Sequence, residues 1–342
     1  MSASKYDIDV DLGEVGTSHH YMVELVGSNK SVLDVGCASG YLAKTLGAFG
    51  NTVTGVEFDP DAAAEATPHL HRVIVADLDR VDLAEAVGGD RFDVIVFGDV
   101  LEHLRDPLPP LRAARRLLNP GGYLVISIPN IAHGDVRMSL LLGRFPYGNL
   151  GLLDNTHLRF FTRASVQELL TDAGFVAAQV RTTKAPLFGT ELGVRPEEVD
   201  QAIVDALLTQ PDAMTYQFVL SAVPQDASTL TTTTGWDLEA TTAELTQARA
   251  ELAATHVALN DANTTIAALR EQLVTAAGHA ADDHANTTQH ATTAAEHAAT
   301  TARDELARTR EHAHQLRQHL TALEQTRTHR WRHRALRVLR RT

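Results

Sequence analysis

Apolar and polar positions follow two different rhythms along this chain. Up to about Pro224, short apolar runs are punctuated by Gly, Pro and Asp. The runs at 31–36 (SVLDVG), 52–57 (TVTGVE), 72–76 (RVIVA), 93–98 (DVIVFG), 122–128 (GYLVISI), 175–180 (FVAAQV) and 216–222 (YQFVLSA) read as strands. Helical spacing separates them at Tyr41–Phe49, Asp61–Thr67, Leu108–Leu118 and Arg163–Ala173. Alternating strands and helices predict an α/β fold, a Rossmann-like, doubly wound and mostly parallel sheet of seven strands. Ligands of such sheets bind beyond the carboxyl ends of the strands, so the residues that follow each strand carry the candidate chemistry.

The rhythm changes after this domain, 1–224. A Ser/Thr/Gly-rich stretch, 225–236, reads as a linker. Beyond it, Leu238, Leu245, Leu252, Leu259, Ile266 and Leu273 recur every seven residues, with Thr241, Ala248, Thr255, Ala262, Leu269 and Ala276 three residues after each. This heptad predicts a coiled-coil helix over 237–325 and a homo-oligomer formed through it. Around Gly278 the seam is interrupted, and Leu306, Ala313, Leu316, Leu320 and Leu323 resume in a shifted phase. The remaining segment, 326–342, holds seven arginines and no acid, with Trp331, Ala335, Val338 and Leu339 on one helical face. Such a basic amphipathic tail suits weak contact with an anionic membrane surface or an acidic partner.

Composition narrows the class. With 44% hydrophobic residues among 342, the chain can build a core, so wholesale disorder is excluded. The single cysteine, Cys37, excludes an internal disulfide framework and an all-cysteine zinc site. No apolar stretch reaches 18 residues, and the N-terminus carries no basic-then-apolar leader. A cytoplasmic protein is expected, peripheral to the inner membrane face if the tail binds there. The net charge of −13 is uneven: residues 1–225 hold 29 acids and 17 bases, so the acidity belongs to the α/β part.

The first strand runs into VLDVGCASGYL, where Asp34, Gly36 and Gly40 frame a tight turn into a helix. Glycine is needed where backbone passes close to a ligand. The turn is neither the dinucleotide G-x-G-x-x-G nor a phosphate loop, and no cationic residue in it aims at phosphate. A phosphate-free nucleoside fits better. Glu57 ends the second strand, 17 residues beyond Gly40, where a carboxylate can take ribose hydroxyls. Asp77 follows the third strand and can accept from an exocyclic amine, while Leu78 packs on a flat base. Asp99 follows the fourth strand and faces the centre of the ligand.

Over about residues 15–223 the chain resembles the class I S-adenosylmethionine-dependent methyltransferases, and among them the bacterial ubiquinone-biosynthesis O-methyltransferases. VLDVGCASG, FDVIVFGDVLEHL, LNPGGYLVISIPN and DNTHLRFFT carry the resemblance. One departure is Ala38, which stands where many members have glycine. The resemblance implies an antiparallel last strand and S-adenosyl-L-methionine as cofactor. It implies that Asp34, Gly36 and Gly40 hold the methionine end, Glu57 the ribose and Asp77 with Leu78 the adenine. Cys37 and Phe58 adjoin these positions and join the cofactor-binding set, and Asp99 lines the path to the methyl group.

Methyl transfer to oxygen needs in-line approach at about 3 Å and a way to remove the hydroxyl proton. After the fourth strand, Asp99, Glu102 and His103 fall at i, i+3 and i+4, on one helical turn. After the fifth, a long connection carries His133, Asp154 and His157 and reads as a lid or substrate wall. Two chemistries are open at this point. His103 or His157 (less so His133) can act as a general base. Alternatively Asp99, Glu102, His103 and His157 hold Mg²⁺ or Mn²⁺, which lowers the pKa of the acceptor hydroxyl. The second layout resembles the Glu-x-x-Glu-His turn and later histidine of the plant small-RNA 2′-O-methyltransferases, with Asp99 replacing the first glutamate.

A strongly acidic domain repels a polyanion, so nucleic acid is disfavoured as a partner. A neutral hydroxylated acceptor is expected, a sugar in a glycan, polysaccharide or glycolipid. The coiled coil and Trp/Arg-rich end are similar to those of enzymes of bacterial surface-polysaccharide assembly. A small-molecule enzyme acting on quinones or phenols, and a non-catalytic coiled-coil scaffold, are the competing readings.

Overall fold

The structure is a computed structural model that describes residues 16–225, Trp236 and isolated positions between 246 and 318. It divides into two compact units, Met1–Trp236 and Asp237–Thr342. The heptads of 237–325, apart from those isolated positions, and the basic tail of 326–342 lie outside the described residues. No helix among the described residues is long and apolar enough to cross a membrane.

Seven strands form one sheet. They are β1 (Ser31–Val35), β2 (Thr52–Glu57), β3 (Arg72–Val75), β4 (Phe92–Gly98), β5 (Leu118–Pro129), β6 (Phe175–Lys184) and β7 (Thr215–Pro224). Their spatial order is β3-β2-β1-β4-β5-β7-β6. β1 to β5 run parallel, and β7 is antiparallel to both β5 and β6. The expected sheet and its antiparallel last strand are therefore both present. Four expected helices appear with ends displaced by one residue: α2 (Tyr41–Ala48), α3 (Pro60–Ala66), α5 (Leu108–Leu117) and α7 (Arg163–Asp172). Four more go beyond the sequence reading: α1 (Ser18–Val26), α4 (Leu83–Val87), α6 (Gly134–Leu141) and α8 (Gln201–Leu208).

Successive strand residues point to opposite sheet faces, and both faces are covered. Leu33, Val35, Ile95, Phe97, Ile126 and Phe218 pack on the side shared with Leu111, Leu117 and Val166 of α5 and α7. Val32, Val94, Val96, Val125 and Val219 pack on the other side with Met22 of α1 and Leu42 and Leu46 of α2. That is why the strands read as nearly continuous apolar runs rather than alternating ones.

The connection after β5 is not one long open loop, because α6 lies within it. Asn130, fully buried, starts it. Its Nδ2 donates to the carbonyls of Asp212 and Thr215, and its Oδ1 accepts from the Ala132 N–H. Asp135, also fully buried, accepts from the N–H groups of Phe188 and Thr190 and from the Thr190 hydroxyl. At the far end, Arg163 pairs with the Asp212 carboxylate through two guanidinium nitrogens. Trp236, the last residue of the segment read as linker, packs into the core of this unit. Its ring meets Phe218 edge-to-face at 5.2 Å, and the Arg163 guanidinium sits 4.5 Å above it.

Candidate functional site

The site lies along the carboxyl ends of β1, β2, β3 and β4. Gly36 follows β1 at φ +74°, and a Cβ there would come within 2.5 Å of Val100 Cγ2. Gly40 caps α2 in the left-handed region at φ +81°. Ala38 also sits at positive φ, 46°, where a glycine would carry no steric cost. The backbone of this turn thus forms a cradle in which Gly36 and Gly40 have no room for a side chain.

Two buried carboxylates floor the cradle. Glu57 Oε2 accepts from the Ala38 N–H at 2.9 Å, and Oε1 accepts from the N–H groups of Phe58 and Asp59. Three of about four acceptor positions are used, which leaves one for a hydroxyl. Asp34 Oδ2 is buried and has no hydrogen-bond partner. Burial, and then the neighbouring Glu57, push the Asp34 pKa up to about 7. An orphaned carboxylate oxygen under a glycine cradle fits an S-adenosylmethionine site, in which the ligand carries a positive charge.

The remaining cofactor candidates are placed unevenly. Cys37 turns its thiol into the core, its Sγ 2.5 Å from where a Cβ on Gly55 would sit, and burial pushes its pKa up. Its backbone N–H donates to the Val56 carbonyl, so the second lone pair of its own carbonyl, which accepts from the Gly40 N–H, is what it offers a ligand. Phe58 is 73% exposed beside Glu57. Asp77 accepts from the Asp79 N–H and pairs with Arg80 at 3.1 Å, while Leu78 packs against the main core.

Asp99 takes a positive φ of 54°, an uncommon conformation for a non-glycine residue and one that clusters at functional sites. Its Oδ1 accepts from the Ser127 hydroxyl at 2.9 Å and from Gln217 Nε2 at 2.8 Å. Burial raises its pKa, against the opposing pull of these bonds and of His19.

Next to it, residues Leu101–His103 form a single 3-10 turn rather than an α-helix. The turn is tied to the connection by its own backbone: the N–H groups of Leu158 and Arg159 donate to the Glu102 carbonyl. This brings one ligand atom each from Glu102, His103 and His157 within 4.8 Å of one another. Asp99, expected in the same set, is not part of that group, because the 3-10 turn replaces the helical turn that would have aligned it. Glu102 is 1% exposed and its Oε2 has no hydrogen-bond partner. Burial first, and then Asp99 and Asp154, raise its pKa well above the usual carboxylate range.

His103 Nδ1 lies 3.2 Å from the Thr156 carbonyl oxygen. A carbonyl only accepts, so Nδ1 is the donor in this contact. The His103 and His157 rings meet edge-to-face at 4.9 Å.

His133 is placed differently. It is fully buried, Nε2 donates to the Ala185 carbonyl at 3.0 Å, and Nδ1 accepts from the Asp135 N–H as the N-cap of α6. Both nitrogens are engaged in holding the connection, so this histidine is structural. His133→Ala is expected to lower stability by about 1–3 kcal/mol through the lost cap and orphaned partners. Cofactor affinity should stay within twofold, measured by denaturant unfolding alongside calorimetry.

Sequence reasoning missed His19, Ser127 and Gln217. His19 packs edge-to-face on Tyr41 at 5.3 Å and interacts with Asp99, and burial lowers its pKa. It sits on α1, whose polar start, SHH, hides the helix. Ser127 and Gln217 are polar residues inside apolar strand runs, and that is the signal that could have found them.

A family profile described as a methyltransferase domain matches residues 13–180. The ubiquinone biosynthesis O-methyltransferase of Psychrobacter arcticus is 28% identical over 177 residues, which cover 50% of this chain and 69% of that protein. The protein of the same name from Thiobacillus denitrificans is 36% identical over 151 residues, 43% of this chain and 65% of its own length. Among solved structures, the magnesium protoporphyrin IX methyltransferase of Synechocystis with bound SAH matches with a TM-score of 0.42 at 18% identity. That match covers 64% of this chain and 90% of the other.

Proposed function

The chain is a class I S-adenosylmethionine-dependent methyltransferase, and from that premise we propose that it methylates a sugar hydroxyl in a glycan, polysaccharide or glycolipid. When bound, the cofactor supplies an electrophilic methyl group. Asp34, Gly36, Gly40 and the Cys37 backbone hold its methionine end in this proposal, and the free acceptor position of Glu57 takes a ribose hydroxyl. Asp77, Leu78 and Phe58 border the adenine, and Asp99, held by Ser127 and Gln217, lines the methyl path.

The acceptor side rests on one observation. The Thr156 carbonyl engages His103 Nδ1 as a donor, which in this proposal leaves Nε2 to take a proton. It takes the hydroxyl proton as the oxygen attacks, with His157 beside it to orient the ring or the hydroxyl. A neutral sugar is compatible with the acidity of residues 1–225, where a polyanion is not.

A second reading is favoured by the partnerless, buried Glu102 Oε2. Glu102, His103 and His157 form an oxygen-and-nitrogen donor set suited to Mn²⁺ or Mg²⁺. A divalent cation there would lower the pKa of an acceptor hydroxyl. The heptads of 237–325 and the basic tail extend the proposal to a homo-oligomer with weak membrane-surface contact.

Calorimetric titration of S-adenosylmethionine in EDTA, and then with Mn²⁺, tests both readings. Micromolar cofactor binding is expected. A separate Mn²⁺ isotherm that vanishes in Glu102→Gln and His157→Ala would select the cation. Cofactor binding without any Mn²⁺ response would leave His103 as the base. Absent cofactor binding would sink the proposal, and methyl transfer to catechol but to no neutral sugar would move the acceptor to the phenol class.

A further inference from the structure

Beyond the histidine pair, the aromatic residues of the connection are not scattered. Tyr147 meets Phe145 at 5.2 Å, Phe145 meets Phe160 at 5.8 Å, Phe160 meets His157 at 6.3 Å, and His157 meets His103 at 4.9 Å. Every contact is edge-to-face, with interplanar angles between 69° and 85°. Five rings therefore make one continuous row that starts on the surface and ends at the imidazole given the proton-accepting role. Tyr147 is 62% exposed and Phe145 36%, so the outer rings are accessible from solvent.

We propose that this row is a binding track for a chain of neutral sugar rings, which feeds one hydroxyl to His103. The inference rests on the methyltransferase reading and deepens its acceptor side.

Three features on the molecule select this occupant. First, the row is open. Pockets for small molecules bury most of the ligand surface, whereas Tyr147 and Phe145 lie on an exposed flank and suit an acceptor that extends past the mouth. Second, four ring contacts of 4.9–6.3 Å link Tyr147 to His103, so the row offers aromatic surface to more than one sugar ring. The C–H face of a pyranose is apolar and stacks on an aromatic face, while its hydroxyls project sideways towards water or a base. Third, no cation belongs to the row itself, and residues 1–225 carry 12 more acids than bases, as 29 against 17. A charged polymer is discouraged and a neutral one is not. Leu150 and Leu158 of the same connection are exposed too, which makes a lipid surface the rival occupant.

The test compares neutral hexasaccharides (gluco-, manno- and galacto-oligomers) with the corresponding methyl glycosides. Methyl transfer is followed in the full chain and in Tyr147→Ala and Phe145→Ala. Wild type should show a KM at least tenfold lower for the favoured hexasaccharide than for its methyl glycoside. Each variant should raise the hexasaccharide KM about tenfold, with the methyl-glycoside KM, kcat and the cofactor Kd unchanged. Equal KM for the short and long sugars, or variants indistinguishable from wild type, would overturn the track and leave the methyltransferase reading standing. Tyr147-dependent binding to vesicles of phosphatidylglycerol, without sugar binding, would overturn it in favour of a lipid surface. Transfer to catechol and to no sugar would remove the glycan acceptor itself.

Discussion

His103→Ala should lower kcat by about 10³-fold while the cofactor Kd moves less than twofold. A positioned general base contributes typically 10²–10⁴, and of the two histidines facing each other across the site this is the one held by a backbone carbonyl, that of Thr156. The variant should fold, because the turn that carries it is held by main-chain bonds. Leu158 and Arg159 donate to the Glu102 carbonyl whatever the side chain at 103. Saturating initial rates on an accepted neutral oligosaccharide, paired with calorimetry for the cofactor, separate the two effects. A fall in kcat of less than fivefold would remove His103 from the chemistry. A parallel loss of cofactor affinity would show instead that the imidazole shapes the cofactor pocket. His157→Ala is the useful companion: if His157 only orients, its kcat loss should be the smaller of the two.

The second large effect concerns Asp34, where function and stability should move in opposite directions. Asp34→Asn is expected to weaken S-adenosylmethionine binding by about 100-fold, since it removes a buried negative charge from a site for a cationic ligand. The same change should stabilise the ligand-free protein at neutral pH and above. The sign follows from the proton. Burial and Glu57 raise the folded-state pKa from 3.8 to about 7, so the folded chain holds this proton more tightly than the unfolded chain does. Stability from this group is fully present below about pH 4 and is lost as pH rises to about 7. Every tenfold difference in proton affinity between the two states is worth about 1.4 kcal/mol, so asparagine should recover roughly 2–4 kcal/mol above pH 7. For a domain of this size that is a rise in Tm of about 5 °C or more. Below pH 4 the two proteins should melt together. Equal melting temperatures at pH 8 would show that Asp34 is not a strained carboxylate at all.

The sheet is legible in the sequence because both of its faces are buried. That condition writes each strand as an apolar run with a polar or glycine terminus, and the residues at or past those termini include Gly36, Glu57 and Asp99, with Asp34 one step before. The helices that escape are short or polar at the start. α4 has five residues, and α1 opens on Ser18-His19-His20. The pairing of His103 with His157 across the site follows from backbone hydrogen bonds between the 3-10 turn and the connection, which no spacing rule encodes. Grouping Asp99 with Glu102 and His103 presumes an α-helical turn. The positive φ at Asp99 and the 3-10 geometry at Leu101–His103 break that presumption and turn the aspartate towards Ser127 and Gln217. His133 stands out in the sequence as a titratable group, but only its burial and two bonded nitrogens reveal a structural task.

The seat of Trp236 bears on where this domain can be cut or lengthened. Its covalent boundary, judged by strands, is Pro224, while its packing boundary is twelve residues later. Gln225 is pinned by the Arg115 guanidinium and by the Gly174 carbonyl, and Trp236 is pinned between Phe218 and Arg163. Residues 226–235 link these two points in the sequence. Doubling the length of such a tether costs only about 0.6 kcal/mol, so insertions between residues 226 and 235 should be inexpensive. A chain ending at Pro224 would instead bare the Phe218 ring and one face of a half-buried guanidinium. Descendants of this sequence are therefore free to vary the spacer's length and composition, provided that an indole still closes the slot.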